Sequence, residues 1–322
     1  MTSSGWLDEL VKELPVQRTG GVFAATRVAP GSDVRIARGA GSLALLLPVT
    51  GGADLQPDLR LANLSVTNRA RCRVVEGGNE KLGEFGIVEC TSGDLQTQET
   101  FVDVIQWLLP RSGSTSVEAL RLLVDSLVRL FSASQGVART TALGLWGELW
   151  MIARSPVPEA VARTWHSTPR GRWDFSAPGA RLEVKTATGA RRHHFSLDQL
   201  TPPPASRLVV ASIVTAELPG GPSIADLLST AVEACQDHAL RSRTIEIAMA
   251  SLGSGWPVGR TASYDADLAE TTLRILDGND VPRVADPPVE VTAVSFQADV
   301  EDVDELSSDA LAEFGFLGPI EG

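Results

Sequence analysis

Cysteine and long hydrophobic runs are scarce in this 322-residue sequence. The three cysteines, Cys72, Cys90 and Cys235, are widely spaced and show no paired-cysteine zinc pattern, so we expect reduced core thiols in a cytoplasmic protein. The longest apolar run, at residues 43–49, is far too short to span a bilayer, and the amino terminus shows no signal-peptide pattern. These absences argue against a secreted protein and against a membrane protein.

Lysine is also scarce, since only Lys12, Lys81 and Lys185 stand among the 28 basic residues. The net charge of −12 argues at first against a polyanionic ligand. The local distribution of charge, however, decides whether such a ligand can approach. Residues 299–322 hold eight acidic residues and no basic one, whereas residues 163–192 hold seven basic residues and two acidic ones. We therefore expect a basic segment that a nucleic acid can approach, and an acidic tail that docks on a basic partner or shields this segment.

The chain changes its pattern near residue 117. Short apolar segments separated by Gly, Asn and Asp turns predict strands at about 22–28, 43–49, 59–66, 71–75 and 85–90. A helix at 95–109 and a linker at 110–116 follow. Beyond them we predict helices at 117–131, 141–154 and 223–240, the last with Ser223 as N-cap, and strands at 171–176, 180–187, 207–214 and 243–250. A helix near 264–276 and a strand at 289–296 precede the acidic tail.

This order predicts an α/β protein, α+β overall, in three parts. They are a β-rich N-terminal lobe at residues 1–112, an α/β core at residues 117–254, and a C-terminal extension with the acidic tail at residues 255–322.

The segment RWDFSAPGARLEVKT, at residues 172–186, predicts a tight hairpin. If Pro178 and Gly179 occupy the central turn positions, Ala177 pairs with Ala180, and Asp174 lies opposite Glu183. Because side chains alternate along a strand, Asp174, Glu183 and Lys185 then share one face. Four apolar residues would occupy the opposite face, towards a core: Trp173, Phe175, Leu182 and Val184.

Two facing carboxylates destabilise a strand pair, so Asp174 and Glu183 need a reason to face each other. A hard divalent cation such as Mg²⁺ supplies one, and the alternative is an exposed hairpin whose acids are merely solvated. Glu148 extends the pattern, because its neighbours one helical turn away are apolar and a buried glutamate is normally paired or bound to metal. An ion pair with an arginine is the alternative interpretation of Glu148.

The segments GLWGELW, RWDF, LEVKT and HHFSLDQL, within residues 144–200, resemble the PD-(D/E)XK family found in prokaryotic genome-defence loci. The element order resembles the restriction-endonuclease core, α-β-β-β-α-β. The resemblance implies that Asp174, Glu183 and Glu148 are metal ligands and that Lys185 is the catalytic lysine. It also matches Gln199 to a glutamine that some members place after the hairpin. The residue before the aspartate is tryptophan instead of proline, a departure common in this diverse group.

By this resemblance we expect a Mg²⁺-dependent DNA endonuclease, with Mn²⁺ able to substitute, that works with other subunits of a bacterial restriction or phage-defence system. A cation activates water and neutralises charge on the phosphate. A lysine can hold the attacking hydroxide better than an arginine, because its charge is compact and its pKa shifts readily. The alternatives are a catalytically silent DNA-binding or scaffolding subunit and an RNA-directed nuclease. The oligomeric state stays open, a homodimer included.

Seven side chains flank the predicted site and could grip phosphates: Arg170, Arg172, Arg181, Arg191, Arg192, His193 and His194. About half of them could equally be ordinary solvated surface residues. We do not expect zinc at the two adjacent histidines, because neighbouring strand residues point in opposite directions and no Cys or His partner lies at ligand spacing.

Overall fold

The computed structural model describes residues 6–17, 20–49, 58–109, 116–133, 140–167, 171–288 and 290–307. The chain divides into one unit of Ser3–Val137 with Gly253–Val258, and another of Met1–Thr2, Ala138–Leu252 and Gly259–Gly322. Across the described residues, no helix combines the length and the apolar character needed to cross a membrane. Three predicted features fall outside the described residues: most of the linker at 110–116, Arg170, and the acidic tail beyond residue 307.

The first unit is built on one sheet. Its helices and strands are α1 (Trp6–Glu13), β1 (Val22–Arg27), β2 (Arg35–Arg38), β3 (Leu43–Pro48), β4 (Leu59–Arg60), β5 (Leu64–Glu76), β6 (Asn79–Cys90), α2 (Leu95–Leu108) and α3 (Val117–Ala133). The strand order is β1-β2-β3-β6-β5-β4, and β1 also pairs in parallel with β5. That extra pairing closes five strands into a ring, which leaves β1 without a free edge.

The interior of this ring is apolar. One buried cluster draws residues from all five strands of the ring: Phe23, Ala25, Ala37, Ala44, Leu46, Cys72, Val74 and Ile87. The predicted strand at 59–66 divides into β4 and the first residues of β5, which pair with each other. The predicted strand at 71–75 is a later part of β5, whose ladder with β6 has a register shift between Thr67 and Ala70. Cys72, Cys90 and Cys235 are all buried free thiols, as the sequence predicts.

The second unit carries a mixed sheet with helices. Its elements are α4 (Ala142–Ala153), α5 (Pro158–Thr164), β7 (Phe175–Ala177), β8 (Ala180–Ala187), β9 (Arg192–Ser196), β10 (Arg207–Val214), α6 (Ile224–Ala234), α7 (His238–Leu252), α8 (Trp256–Gly259), whose residues straddle the two units, α9 (Ala266–Thr272), β11 (Arg274–Asp277) and β12 (Ser295–Asp299). The sheet order is β11-β10-β8-β7, with β8 parallel to β10, and β9 pairs separately with β12. The protein is therefore a mixed α/β protein.

The centre of this sheet follows from its sequence. Six of the eight residues of β10 are buried, as expected for a strand covered on both faces. The predicted bounds of β8 and β10 agree with the structure, and Ser223 caps α6 in a capping box with Asp226. The helix α3, grouped from the sequence with residues 117–254, lies in the first unit, and residues 259–307 lie in the second unit. The three-part division of the chain remains a prediction.

Several predicted elements are wrong in type or extent. Residues 243–250 belong to the helix α7 and not to a strand. The β-branched residues Thr244, Ile245 and Ile247 suggest a strand, but the buried positions of α7 recur at three and four residues and include Leu240, Ala248 and Leu252. The α-β-β-β-α-β order therefore fails at its last element.

Three further boundaries differ from their predictions. The helix from Ser223 ends at Ala234, and the next helix begins at His238. The helix near 264–276 covers only Ala266–Thr272 and gives way to β11. The predicted strand at 289–296 begins instead at Ser295 as β12.

Candidate metal centre and active site

Glu183 and Lys185 project from the central strand β8. The Glu183 side chain is only 2% exposed, yet its Oε1 lies 2.7 Å from the Lys185 Nζ. Lys185 is 17% exposed, and its ammonium sits 5.1 Å from the centre of the Phe195 ring, within cation–π range. The buried carboxylate and the aromatic ring therefore hold the lysine side chain in place while its tip still reaches solvent.

Asp174 lies immediately before β7. The hairpin has the predicted register, with Ala177 opposite Ala180 and Phe175 opposite Leu182. The ladder ends there, because residues 172–174 bend away from strand geometry. Asp174 still faces β8, since its Oδ2 accepts a hydrogen bond from the Val184 backbone N–H at 2.8 Å. Burial, together with the Glu183 and Glu148 carboxylates, raises the pKa of Asp174 well above its ordinary value.

The same bend corrects the predicted position of Trp173. This side chain packs with Phe195, Leu208 and Val210, and the Arg181 guanidinium lies 5.6 Å from its ring centre. Trp173 therefore lies on the face of the sheet that carries Arg181, and not on the opposite face as predicted. The alternation that predicts the opposite face requires strand geometry at residue 173, which the bend removes.

Glu148 comes from the helix α4. Its side chain is 7% exposed, and its Oε2 accepts a hydrogen bond from Trp165 Nε1 at 2.8 Å and lies 3.0 Å from His166 Nε2. The partners are therefore an indole and an imidazole, and not the arginine of the alternative interpretation. The preceding residue, Gly147, lets α4 approach β8 closely, because a Cβ at this position would overlap the Thr186 hydroxyl.

His166 is a residue of this site that the sequence analysis missed. Ligand atoms of Glu148, His166 and Asp174 all lie within 4.8 Å of one another, a spacing that suits one metal ion. His166 also has a left-handed backbone, with φ of +39°, and its N–H donates to the Asp174 carbonyl at 2.7 Å. No periodicity or motif spacing points to this histidine, and the unusual backbone is visible only in the structure.

Gln199 connects the turn after β9 to the carboxylate of Glu183. Its Nε2 donates a hydrogen bond to Glu183 Oε1, and its Oε1 accepts one from the Ser196 N–H at 3.0 Å. The Gln199 carbonyl accepts the Trp173 indole N–H at 2.7 Å. Three hydrogen bonds therefore fix the position of Gln199 beside Glu183.

In the described part of the chain the predicted phosphate-binding residues are exposed, buried or, for Arg181, half-buried. Arg172, Arg192 and His194 are exposed. Arg172 lies 4.0 Å from Asp198, and Arg192 lies 3.0 Å from Asp299, so both cations have acidic neighbours.

Arg191 and His193 are buried, which corrects the expectation that they grip phosphates. Arg191 donates hydrogen bonds to the Ser212 carbonyl and hydroxyl and to the Thr272 carbonyl, so its guanidinium joins β10 to the end of α9. The His193 Nε2 lies 2.8 Å from the same Ser212 hydroxyl. Burial and the Lys185 and Arg191 cations lower the pKa of His193 to about 4, which leaves this ring neutral at neutral pH. Both side chains thus support the sheet.

The acidic residues of this site fit a divalent cation. Glu183 Oε2 is buried and has no hydrogen-bond partner among the described residues, which is costly for a carboxylate unless another ligand compensates it. Burial also raises the pKa of Glu183, although Lys185 acts in the opposite direction. Asp174, Glu148 and Glu183 repel one another in a desolvated region, and a cation between them would remove that repulsion. Carboxylate oxygens are the ligands that hard divalent cations prefer.

The structure thus brings five residues singled out in the sequence into one site: Glu148, Asp174, Glu183, Lys185 and Gln199. The three residues whose ligand atoms lie within 4.8 Å of one another include His166 and do not include Glu183. This group therefore has His166 in the place that the predicted ligand set gives to Glu183. The roles of all these residues as ligands or catalysts remain predictions.

A family model described as "Putative PD-(D/E)XK family member, (DUF4420)" matches residues 7–301. No curated protein and no solved structure matches the chain significantly. The family match covers most of both units and confirms the resemblance drawn from residues 144–200. The chain therefore belongs to this family of PD-(D/E)XK proteins.

Proposed function

We propose that this protein is a metal-dependent nuclease that hydrolyses phosphodiester bonds in DNA. The observation that carries the proposal is the state of Glu183, a buried carboxylate with one oxygen held by Lys185 and Gln199 and the other without a partner. A fold gains no stability from such an arrangement, which makes sense if the second oxygen binds a ligand. Membership of a PD-(D/E)XK family supports the same activity.

Glu148, Asp174 and Glu183 would hold the cation, for which we propose Mg²⁺ with Mn²⁺ able to substitute. When bound, such a cation supplies Lewis-acid activation of water and neutralises charge that develops on the phosphate. Asp174 keeps its Oδ2 oriented through the Val184 N–H, and Glu148 keeps its Oε2 oriented through the Trp165 indole. The protein thus holds these carboxylates in place before any ligand arrives.

Lys185 is the group proposed to act on the phosphate. Its Nζ can donate to a phosphate oxygen or to the attacking water while one of its hydrogen bonds remains with Glu183. Gln199 acts as a positioning residue, because its Nε2 donates to Glu183 Oε1 while its own Oε1 is held by the Ser196 N–H. The buried apolar cluster beneath, which includes Phe195, limits the access of water to this part of the site.

DNA is the proposed substrate and Arg172, Arg192 and His194 are the exposed groups proposed to contact its phosphates. A phosphate would have to displace Asp198 and Asp299 from the two arginines. We further propose that α4, β7, β8, β10 and α6 are the counterpart of the restriction-endonuclease core. The role as the nuclease subunit of a bacterial restriction or phage-defence system rests on the family resemblance alone.

A non-catalytic DNA-binding or scaffolding subunit is the second candidate, and an RNA-directed nuclease is the third. The completeness of the site argues against loss of activity, because a scaffold has no need for a buried carboxylate beside a lysine. The exposed cations do not discriminate between DNA and RNA.

Cleavage by the purified full chain tests the proposal. Supercoiled plasmid, linear DNA and RNA are incubated with Mg²⁺, with Mn²⁺ or with EDTA. Asp174→Asn is compared with Asp280→Asn, an exposed aspartate, and Lys185→Met with Lys81→Met, an exposed lysine in the first unit. We expect cation-dependent DNA cleavage that only Asp174→Asn and Lys185→Met abolish.

Equal cleavage by wild type and both site variants would identify a contaminant and overturn the proposal. Cation-dependent cleavage of RNA alone would support the third candidate. DNA binding without cleavage under every cation condition, unchanged in Lys185→Met, would support the scaffold.

A further inference from the structure

His166 has a position and a chemistry that the proposed Mg²⁺ site does not require. Its Nε2 lies 3.0 Å from Glu148 Oε2, and ligand atoms of Glu148, His166 and Asp174 fall within 4.8 Å of one another. We propose that His166 is a nitrogen ligand of the catalytic cation, and that it makes the site prefer a divalent transition-metal ion over Mg²⁺. This inference rests on the proposed function and specifies the class of its cofactor.

The backbone holds His166 next to both of its partners. The His166 N–H donates to the Asp174 carbonyl at 2.7 Å, while the neighbouring Trp165 indole donates to Glu148 Oε2. The dipeptide 165–166 is thereby joined to both carboxylate residues of the group. Since the His166 side chain is 29% exposed, these polar contacts and not dense packing fix its position.

The left-handed backbone at His166, with φ of +39°, is uncommon for a residue other than glycine. Such conformations cost free energy and persist where the surroundings impose them, often at ligand sites. At this position the conformation directs the imidazole to Glu148 while the backbone N–H remains bonded to Asp174. A hydrogen bond to Glu148 alone could be made by many side chains without that cost.

An independent observation points to a ligand at the same place. Glu183 is 2% exposed, and its Oε2 lacks a hydrogen-bond partner among the described residues. Glu183 also interacts electrostatically with Glu148 and His166, so its carboxylate lies in the neighbourhood of this group. Glu148 and Asp174 thus offer oxygen donors and His166 offers a nitrogen donor in one region, and the Glu183 carboxylate lies close enough to interact with it electrostatically.

The donor set decides which cation the region prefers. Mg²⁺ takes oxygen ligands almost exclusively, keeps several waters and demands near-ideal octahedral geometry. Imidazole nitrogen suits transition metals, and affinity at mixed nitrogen and oxygen sites rises from Mn²⁺ through Fe²⁺ to Co²⁺. One imidazole in the set therefore strengthens binding of Mn²⁺, Fe²⁺ or Co²⁺ while adding little for Mg²⁺.

Binding of Mn²⁺ and Mg²⁺ tests this inference without any assay of cleavage. Calorimetry at one fixed pH gives the affinity of the full chain for each cation, because imidazole binds metal only when it is deprotonated. Pulsed electron paramagnetic resonance of the Mn²⁺-loaded protein, labelled with ¹⁵N-histidine, reports whether a histidine nitrogen coordinates the metal. The variant His166→Asn keeps a residue that tolerates the left-handed backbone, and His238→Asn, at the start of α7, is the matched control.

We expect wild type and His238→Asn to bind Mn²⁺ more tightly than Mg²⁺ and to show coupling to a histidine nitrogen. His166→Asn should lose that coupling and bind Mn²⁺ at least about tenfold more weakly, with its Mg²⁺ affinity unchanged. His166→Ala, with a circular dichroism spectrum to verify folding, should give the same loss.

Two results would overturn the inference in different ways. Cation binding that Asp174→Asn abolishes, without nitrogen coupling in wild type and without an effect of His166→Asn, removes the nitrogen ligand and leaves the proposed nuclease intact. If wild type binds neither cation, the metal-dependent nuclease fails as well, and the inference fails with it.

Discussion

Lys185 and Glu183, two positions apart on β8, form an ion pair of 2.7 Å in which the carboxylate is buried and the ammonium still reaches solvent. One carboxylate oxygen therefore holds the lysine, while the other has no hydrogen-bond partner among the described residues and is available to a ligand. A buried ion pair of this kind contributes little to stability by itself, because desolvation offsets the attraction between the charges. Its value lies in the orientation of the lysine.

The first prediction concerns the side chain at position 185, which we propose acts on the phosphate. Lys185→Met should lower the rate of DNA cleavage at saturating cation by at least about a hundredfold, because a donor to the reacting phosphate is lost. Lys185→Arg should not restore the rate, since a planar guanidinium cannot take the place of a compact ammonium above the Phe195 ring. Single-turnover kinetics on plasmid DNA measures both effects.

Mn²⁺ affinity provides the control for the lysine variants. Lys185 is not among the proposed ligands, so Lys185→Met should still bind the cation, while Lys81→Met should match wild type in rate and affinity. A Lys185→Arg variant with full activity would show that only the charge matters and would contradict the proposed role.

The second prediction concerns the stability of the metal-free protein. Burial, Glu183 and Glu148 raise the pKa of Asp174, so the folded state binds this proton more tightly than the unfolded state does. The resulting stabilisation is present at low pH and is lost as pH rises from the ordinary value of 3.8 through the raised pKa. In EDTA at neutral pH, Asp174→Asn should therefore be more stable than wild type, and this difference should shrink as the pH falls.

Urea denaturation in EDTA at a series of pH values measures this difference. Comparison of wild type with Asp174→Asn cancels the contribution of carboxylates remote from the site, and Asp280→Asn controls for the loss of one negative charge. Saturating Mn²⁺ should reverse the order, because only wild type gains stability by binding it. A stability difference that does not change with pH would disprove the electrostatic explanation.

The hairpin could be predicted from the sequence because its information is local. Pro178 and Gly179 fix the turn, and alternation along β8 then places Glu183 and Lys185. The same reasoning fails for Trp173, since it assumes that strand geometry continues to a residue where the chain has already bent. The extent of a strand depends on what packs beside it, which the local pattern does not specify.

Other parts of the site depend on the tertiary fold and could not be predicted. Residues 243–250 carry β-branched side chains, but packing against α4, α5 and α6 within the second unit selects a helix. His166 joins Glu148 only because the chain after α5 returns to α4 with a left-handed residue. Arg191 lies in a basic stretch of sequence, yet it folds inwards to donate to Ser212 and Thr272. Charge in the sequence does not reveal exposure.

The third prediction concerns Gln199 as a positioning residue. Gln199→Leu removes the hydrogen bond to Glu183 Oε1 and the acceptor for the Ser196 N–H, while it keeps a similar side-chain volume. Metal affinity and cleavage rate should fall together by about ten- to a hundredfold, as for other residues that orient a ligand. Gln297→Leu, on the exposed side of β12, should leave both unchanged. A fall in rate at saturating cation without a change in affinity would instead place Gln199 on the substrate.

The fourth prediction concerns the close approach of α4 to β8. In Gly147→Ala the new Cβ would overlap the Thr186 hydroxyl and lie 3.5 Å from Val184, so α4 must move and carry Glu148 with it. We expect a loss of about 1–3 kcal/mol in the free energy of unfolding, together with weaker cation binding. Gly93→Ala, where an added Cβ meets nothing within 4 Å, should change stability by less than about 0.5 kcal/mol.

The double variant Gly147→Ala with Thr186→Ala tests whether steric overlap with the Thr186 hydroxyl causes the loss of stability and of cation binding. The Thr186 hydroxyl is buried without a hydrogen-bond partner among the described residues, so its removal costs little and makes room for the new methyl group. A double-mutant cycle in stability and in Mn²⁺ affinity should therefore show partial recovery of both quantities. If the two losses simply add, the contact between α4 and β8 does not position Glu148, and the helix holds its glutamate by some other means.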